Sequence, residues 1–400
     1  MPFDNTIDIL GDDTTFGKII DGTIEEFYDN KISGTLKPYA FNYCSSLKSV
    51  HMDKINRIDE GAFRGCTNLS DISFPSATSI GYSAFAMCSS IVNAEFPNVT
   101  YIGANAFSGC RGLKTVSFPL LSGDILANTF DNCEGLESAY FPLVSGVISY
   151  MAFYYCKKLS IASFPLATYI STSAFCRCQS LTTINAPNVS VIGSSAFERC
   201  YSLANISFPN VKSINQYAFI GCDNLSTVSF PSASFIGSYA FSGCSKLTIA
   251  DFPNVSYISV ATFSGCSALT TVSFPLATYI GSNAFQGCSA LTTVLFPSVS
   301  QISERAFQNC TSLSIISFPK ATGFYSAVFS SCRSLLAVVL PNSSIMATFN
   351  NTNTFYYAFN AILYVADELL DSYKAQPNIA DLSASRIKPI SELPSELLQS

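Results

Sequence analysis

From Leu36 to Pro341 apolar and polar positions recur with a fixed period. One copy runs Ala284-Phe285-Gln286-Gly287-Cys288-Ser289-Ala290-Leu291-Thr292-Thr293-Val294-Leu295-Phe296-Pro297. The pattern is A-F-x-x-C-x-x-L-x-x-V-x-F-P, followed by a small apolar residue and an Ile-Gly or Ile-Ser pair. A period of this length predicts a solenoid, in which each unit buries its apolar face only against the next. The segment L-x-x-V-x-F is short and rich in Thr and Ser, and its Val and Phe alternate inward, so it reads as a strand. Proline has no N–H to donate to a ladder and ends it. Phe, Cys and Leu follow at three-residue steps, which predicts a short helical or 3-10 turn over A-F-x-x-C.

The unit recurs about fourteen times. Its phenylalanine series begins at Phe41 and ends at Phe329, and fourteen cysteines from Cys44 to Cys332 follow at steps of 22 residues, two of them 23. Only Cys176 lies outside the series. The reading is an N-terminal cap over residues 1–35, a repeat array over 36–345 and a C-terminal cap and tail over 346–400. In the first cap Ile19-Ile20-Asp21-Gly22-Thr23-Ile24 reads as strand, turn and strand. In the second, Ile362-Leu363-Tyr364-Val365 reads as one more strand. A helix follows over Asp367–Ala375, with Asp367 as its N-cap. Two adjacent units, at Leu121–Ile125 and Val144–Ile148, carry one extra residue each, with a Ser-Gly.

Equal cysteine spacing places one thiol per coil with all side chains pointing the same way. Bridging needs convergent Cβ vectors, so buried, unbridged thiols are expected, with a disulfide framework as the alternative.

The chain of 400 residues is 48% hydrophobic and 12% charged, with a formal net charge of −6. It is too apolar for disorder, and no apolar run is long enough for a membrane span. Basic residues are scattered, which argues against nucleic acid. The N-terminus lacks the basic and apolar regions of a signal peptide. With one histidine, His51, histidine-based triads and metal sites cannot be assembled in the usual way. No phosphate-binding or dinucleotide fingerprint occurs. No catalytic residue, cofactor or metal is therefore expected.

The A-F-x-x-C-x-x-L-x-x-V-x-F-P run resembles the leucine-rich repeats of the BspA-like, or Treponema pallidum, type, over residues 36 to 345. The resemblance implies an α/β solenoid. It would be a right-handed leucine-rich-repeat superhelix with one parallel β-sheet face and short helical or 3-10 turns on the other side, capped at both ends. It also implies a non-enzymatic binding or adhesion protein that recognises a protein or glycan on a host or bacterial surface, located outside the cell. The absence of a leader leaves an alternative: a structural or host-recognition component of a phage or prophage particle, cytoplasmic until released.

Outward strand positions are the two residues after each Leu and the one before each Phe. Most are Ser or Thr, which are either soluble filler or a hydrogen-bonding surface. The exceptions, Asp71, Asn93, Glu95, Tyr140, Asn185, Asn205 and Asp251, are the expected ligand-binding positions. Near the C-terminal end the face turns apolar at Leu295, Ile315, Leu336 and Val339. That patch reads as a self-association surface or as the seat of the C-terminal cap. A stripe of Tyr101, Tyr169, Phe235, Tyr257 and Tyr279 covers the coil turns or offers aromatic contacts.

Overall fold

The computed structural model describes residues 23–350, 353–379 and 381–398. Residues 19–22 of the expected N-terminal hairpin lie outside them. The chain divides into two compact units, Met1–Leu203 and Ala204–Ser400.

In the first unit each coil contributes a three-residue strand to a parallel ladder. Glu26–Tyr28, Ser49–His51 and Asp71–Ser73 pair in sequence, and so do Ser138–Tyr140, Ile161–Ser163 and Thr183–Asn185. Asn93–Glu95 pairs with Thr115–Ser117. The middle residue of the strand is covered and its neighbours face out, as the pleat requires; Asn93-Ala94-Glu95 is exposed, buried, exposed.

The structure adds a second, narrower parallel ladder at the Ile-Gly or Ile-Ser corner. Ser79–Ile80 pairs with Tyr101–Ile102, and Tyr169–Ile170 pairs with both Val147–Ile148 and Val191–Ile192. The glycine after the isoleucine has a steric cause. A Cβ on Gly193 would lie 2.5 Å from the Ser171 carbonyl carbon of the coil before.

The A-F-x-x-C segments are not the short helical or 3-10 turns expected from their spacing. They are chained turns. The Cys44 N–H donates to Phe41 O at 3.1 Å and the Asn42 N–H to Tyr39 O at 3.1 Å. Tyr39 and Tyr43, two residues before and after Phe41, have φ of 60° and 59°. Two left-handed residues per coil stop a helix from propagating. They also turn other N–H groups towards the next coil: the Phe41 N–H donates to Ala62 O at 2.7 Å.

The core is a set of side-chain columns. Phe41, Phe63, Phe85, Phe107, Phe130, Phe153 and Phe175 are fully buried. Successive centroids in this column are 5.2–5.6 Å apart with near-parallel rings. Each buried ring stabilises the fold by about 1.5–3 kcal/mol through removal from water. A second column runs Phe74, Phe96, Phe118, Phe141 and Phe164.

No disulfide joins the cysteines. Their thiols bond across coils instead. Cys66 Sγ donates to Phe41 O at 2.9 Å, and the contact repeats through Cys200 to Phe175 O at 3.2 Å. Cys176 is buried as well.

The second unit has the same construction. Thr227–Ser229, Ile249–Asp251 and Thr271–Ser273 form one run of the main ladder. Thr293–Leu295, Ile315–Ser317, Ala337–Leu340, Ile362–Val365 and Ile387–Pro389 form another. Coil geometry therefore continues through Ile362–Val365. Phe355 extends the aromatic column, 5.5 Å from Phe329, although Ala358 replaces the cysteine of the motif.

The helix expected over Asp367–Ala375 is split into a 3-10 turn, Asp367–Leu369, and an α-helix, Leu370–Lys374. Asp367 is not its N-cap. Its carboxylate accepts the Ser391 N–H at 3.1 Å and so holds the tail. Hydrogen bonding from Ser391, first through its side chain and then through this N–H, lowers the Asp367 pKa.

The tail covers the apolar sheet end. Ile315, Ala337, Val339 and Tyr364 are buried, with Ile390, Leu393 and Leu397 packed against them. Of the four residues expected in an apolar patch, Ile315 and Val339 are thus covered, whereas Leu295 and Leu336 stay 61% and 42% exposed.

Candidate functional site

The outward strand face of the first unit carries five of the seven expected binding residues. Asp71 opens its strand, Asn93 and Glu95 flank a buried alanine, Tyr140 closes its strand, and Asn185 does the same in the last strand of the run. All five are exposed. Only Asp71, Asn93 and Glu95 come together, lining one shallow cleft with Ser70 and Ile72.

Asp71 and Asn93 hold the same position of consecutive coils, although no ladder pairing joins their two strands. The middle outward position of one coil stands beside the same position of the next, and the outer position lies diagonally across. Asn93 Oδ1 accepts from the Thr115 hydroxyl at 2.7 Å. Asn185 donates through Nδ2 to Ser163 Oγ at 3.2 Å. Such rungs hold the side chains in place before a ligand arrives and lower the ordering cost of binding.

The cleft adjoins a group that residue-by-residue reading of the face passed over. His51 Nε2 lies 2.9 Å from the Asp71 carboxylate, at ion-pair distance but without hydrogen-bond alignment. The Tyr28 ring meets the imidazole edge-on, with centroids 4.8 Å apart, and the Tyr28 hydroxyl bonds Ser49 Oγ at 2.9 Å. A second cleft, lined by Tyr28, Asp29, Asn30, Lys31, His51 and Asp53, opens on the other side. The signal in the sequence was the diagonal: His51 and Asp71 occupy adjacent outward positions of consecutive coils.

The two remaining residues lie in the second unit. Asp251 closes the strand Ile249–Asp251, and Ser229 Oγ donates to its carboxylate at 3.4 Å. Asn205 departs from expectation: it is exposed, but residues 204–208 belong to no strand. The ladder position that the repeat assigns to it is not formed.

The Ser and Thr surface divides by position. Hydroxyls directly after the Leu are committed to the fold: Thr182 and Thr270 donate to the Ser160 and Thr248 carbonyls of the preceding coil at 3.0 and 3.1 Å. In the aromatic stripe Tyr257 and Tyr279 stack on each other at 4.5 Å, which occupies their facing ring surfaces. Among the described residues no three His, Cys, Asp or Glu side chains are grouped to hold a metal ion. No described helix is long and apolar enough to cross a membrane.

A model of the BspA-type leucine-rich repeat region matches residues 34–160, 146–269 and 256–362. No curated protein sequence matches the chain. Among solved structures, a leucine-rich repeat protein from Bacteroides ovatus aligns with a TM-score of 0.63 at 25% identity, over 86% of this chain and 84% of that one. A leucine-rich cell-surface protein from Faecalibacterium prausnitzii aligns with a TM-score of 0.36 at 24% identity, over 66% and 82%. The Treponema pallidum leucine-rich repeat protein gives 0.22 at 23%, over 54% and 72%. With the family model matching most of its length and the coil geometry agreeing, the chain belongs to the BspA-type leucine-rich repeat family.

Proposed function

We propose that the protein is a non-enzymatic binding or adhesion protein whose strand face recognises a protein or glycan on a host or bacterial surface. Its family points to a protein-binding, surface-associated role. The observation that carries the reading is the first unit's strand face. It is solvent-exposed, and rungs such as Thr115–Asn93 and Asn185–Ser163 order its side chains. Asp71, Asn93 and Glu95 converge at one end as specificity points. Weak contacts summed along such a ladder suit an extended partner better than a small molecule.

The test is binding of the whole chain to immobilised mucins, matrix proteins and a glycan array. The variant is Asp71→Lys with Glu95→Lys, and Asp251→Lys probes the second unit separately. The acids are exposed, so the variants should fold. Loss of at least tenfold in affinity is expected for the double variant. Unchanged binding by both would place recognition on another surface.

A further inference from the structure

Three consecutive coils of the first unit break the repeat at one surface position. Elsewhere the residue after the Pro is mostly Asn or Ser, with the single departures Leu276 and Lys320 in the second unit, and several of these polar side chains bond the preceding coil. Asn98, Asn188 and Asn254 donate through Nδ2 to the carbonyls of Pro75, Pro165 and Pro231 at 2.8, 3.0 and 2.7 Å. Ser232 does the same to Pro209 O at 2.9 Å. Leu120, Leu143 and Leu166 replace it. Each forgoes that bond and stays 43–44% exposed. Two residues upstream, Phe118, Phe141 and Phe164 stack with centroids 6.3 and 5.4 Å apart, so the leucines stand on neighbouring coils. The strand face of these coils adds two exposed apolar side chains, Tyr140 at 63% and Ile161 at 53%, among the hydroxyls of Thr115, Ser117, Ser138 and Ser163. Solvation does not favour such a strip, and contiguous apolar surface of this kind marks contact sites.

The opposite edge of the same strands is basic. Arg111, Glu134, Lys157 and Lys158 line a cleft there. Glu134 is shared between Lys157 at 2.7 Å and Arg111 at 3.7 Å. Lys114 and Lys158 are exposed and have no carboxylate partner among the described residues. Along this edge the four cations face only Glu134 and Glu137, while Asp124 and Asp131 lie elsewhere on these coils and bring residues 111–166 as a whole to zero net charge.

From this pairing of edges we propose that residues 111–166 form a docking surface for a folded protein partner carrying an apolar patch bordered by carboxylates. The strand Ile161–Ser163 lies between the leucine strip and the basic edge, so the two are on the order of 15 Å apart at about 3.3 Å per extended residue. A single helix, about 10–12 Å across, covers one edge when laid along the ladder, or about two coils at about 4.8 Å each when laid across it, and so does not cover the whole surface. A neutral glycan would leave the cations unpaired and the leucines wet. The inference rests on the protein-binding arm of the proposed function and shares Tyr140 with its strand face, but the residues changed in its test are others.

The test uses a displayed library of one small folded scaffold with a randomised face, selected against the whole chain. Selected binders should be enriched in Asp and Glu beside Leu or Phe. They should lose at least tenfold in affinity for Leu120→Asn/Leu143→Asn/Leu166→Asn and for Lys157→Glu/Lys158→Glu. The asparagines restore the residue that neighbouring coils use, so the triple variant should fold at least as stably as the parent, checked by thermal melting. Binders unaffected by either variant but lost on Asp71→Lys/Glu95→Lys would overturn this surface and leave the strand-face reading standing. Sedimentation of the chain alone as a dimer that the triple variant dissolves would also overturn it, since the occupant would be a second copy.

Discussion

The ladder cysteines show how one residue type serves the fold without chemistry. A thiol is small, apolar and a weak donor, which fits a position that must fill space and bond one carbonyl of the coil before. Burial pushes the Cys110, Cys244 and Cys332 thiols up to about 12. In an unfolded chain a thiol ionises near about 8.5. Between those values the folded state holds more protons than the unfolded one, so stability falls as pH rises. The contribution is intact below about pH 8.5 and is lost towards about 12, at about 1.4 kcal/mol per pH unit for each fully titrating thiol. Resistance to urea should therefore fall steeply between about pH 9 and pH 10.5. Cys244→Ala/Cys266→Ala should be less stable at neutral pH yet show a shallower decline. An unchanged slope would mean that these thiols ionise in the folded protein.

At the scale of the coil, corners rather than strands set the sequence constraints. Gly237 follows Ile236, and an added Cβ would meet Gln216 N at 2.4 Å. Gly243 instead holds φ at 76°, and an added Cβ would make only ordinary contacts, with Gly221 Cα and N at 3.8 Å. Gly243→Ala should cost about 1–2 kcal/mol, the ordinary penalty of a left-handed alanine. Gly237→Ala should cost more, because backbone of the coil before must move. Chemical denaturation of the two variants gives the order, and equal losses would refute the distinction. The strands, the aromatic columns and the buried cysteines were all legible from the period, because every coil repeats the same inward positions. The second ladder and the turn geometry were not. Three-residue spacing is shared by a 3-10 helix and by chained turns, and φ at Tyr39 or Met87 is not encoded in residue type. The binding face was legible as a set of positions. Which of them converge depends on diagonals between coils, such as His51 with Asp71, and on breaks such as that at Asn205.

A stacked array must close its ends, and the C-terminal tail does so in the second unit by lying across the sheet face as well as adding the strand Ile387–Pro389. The outward residues of that region, Ile315, Val339 and Tyr364, are apolar where most other coils hold a polar residue, so cap and face are matched in sequence. Arg386 fastens the tail at its start, donating through Nε to Ala361 O at 2.8 Å and through Nη2 to Ala358 O at 2.7 Å. Asp367 fastens it again through the Ser391 N–H. The apolar cluster and these anchors act on one segment, so their losses should couple. Ile390→Asp with Leu393→Asp places two carboxylates against the cluster and should detach the segment while the coils before it persist. The expected signature is a rise in fluorescence of an apolar dye and concentration-dependent association in sedimentation, with the far-ultraviolet spectrum nearly unchanged. Arg386→Ala should give the same effects more weakly. A double variant that binds no dye and remains monomeric would show that the sheet end stays covered without those contacts, and that the tail is not its cap.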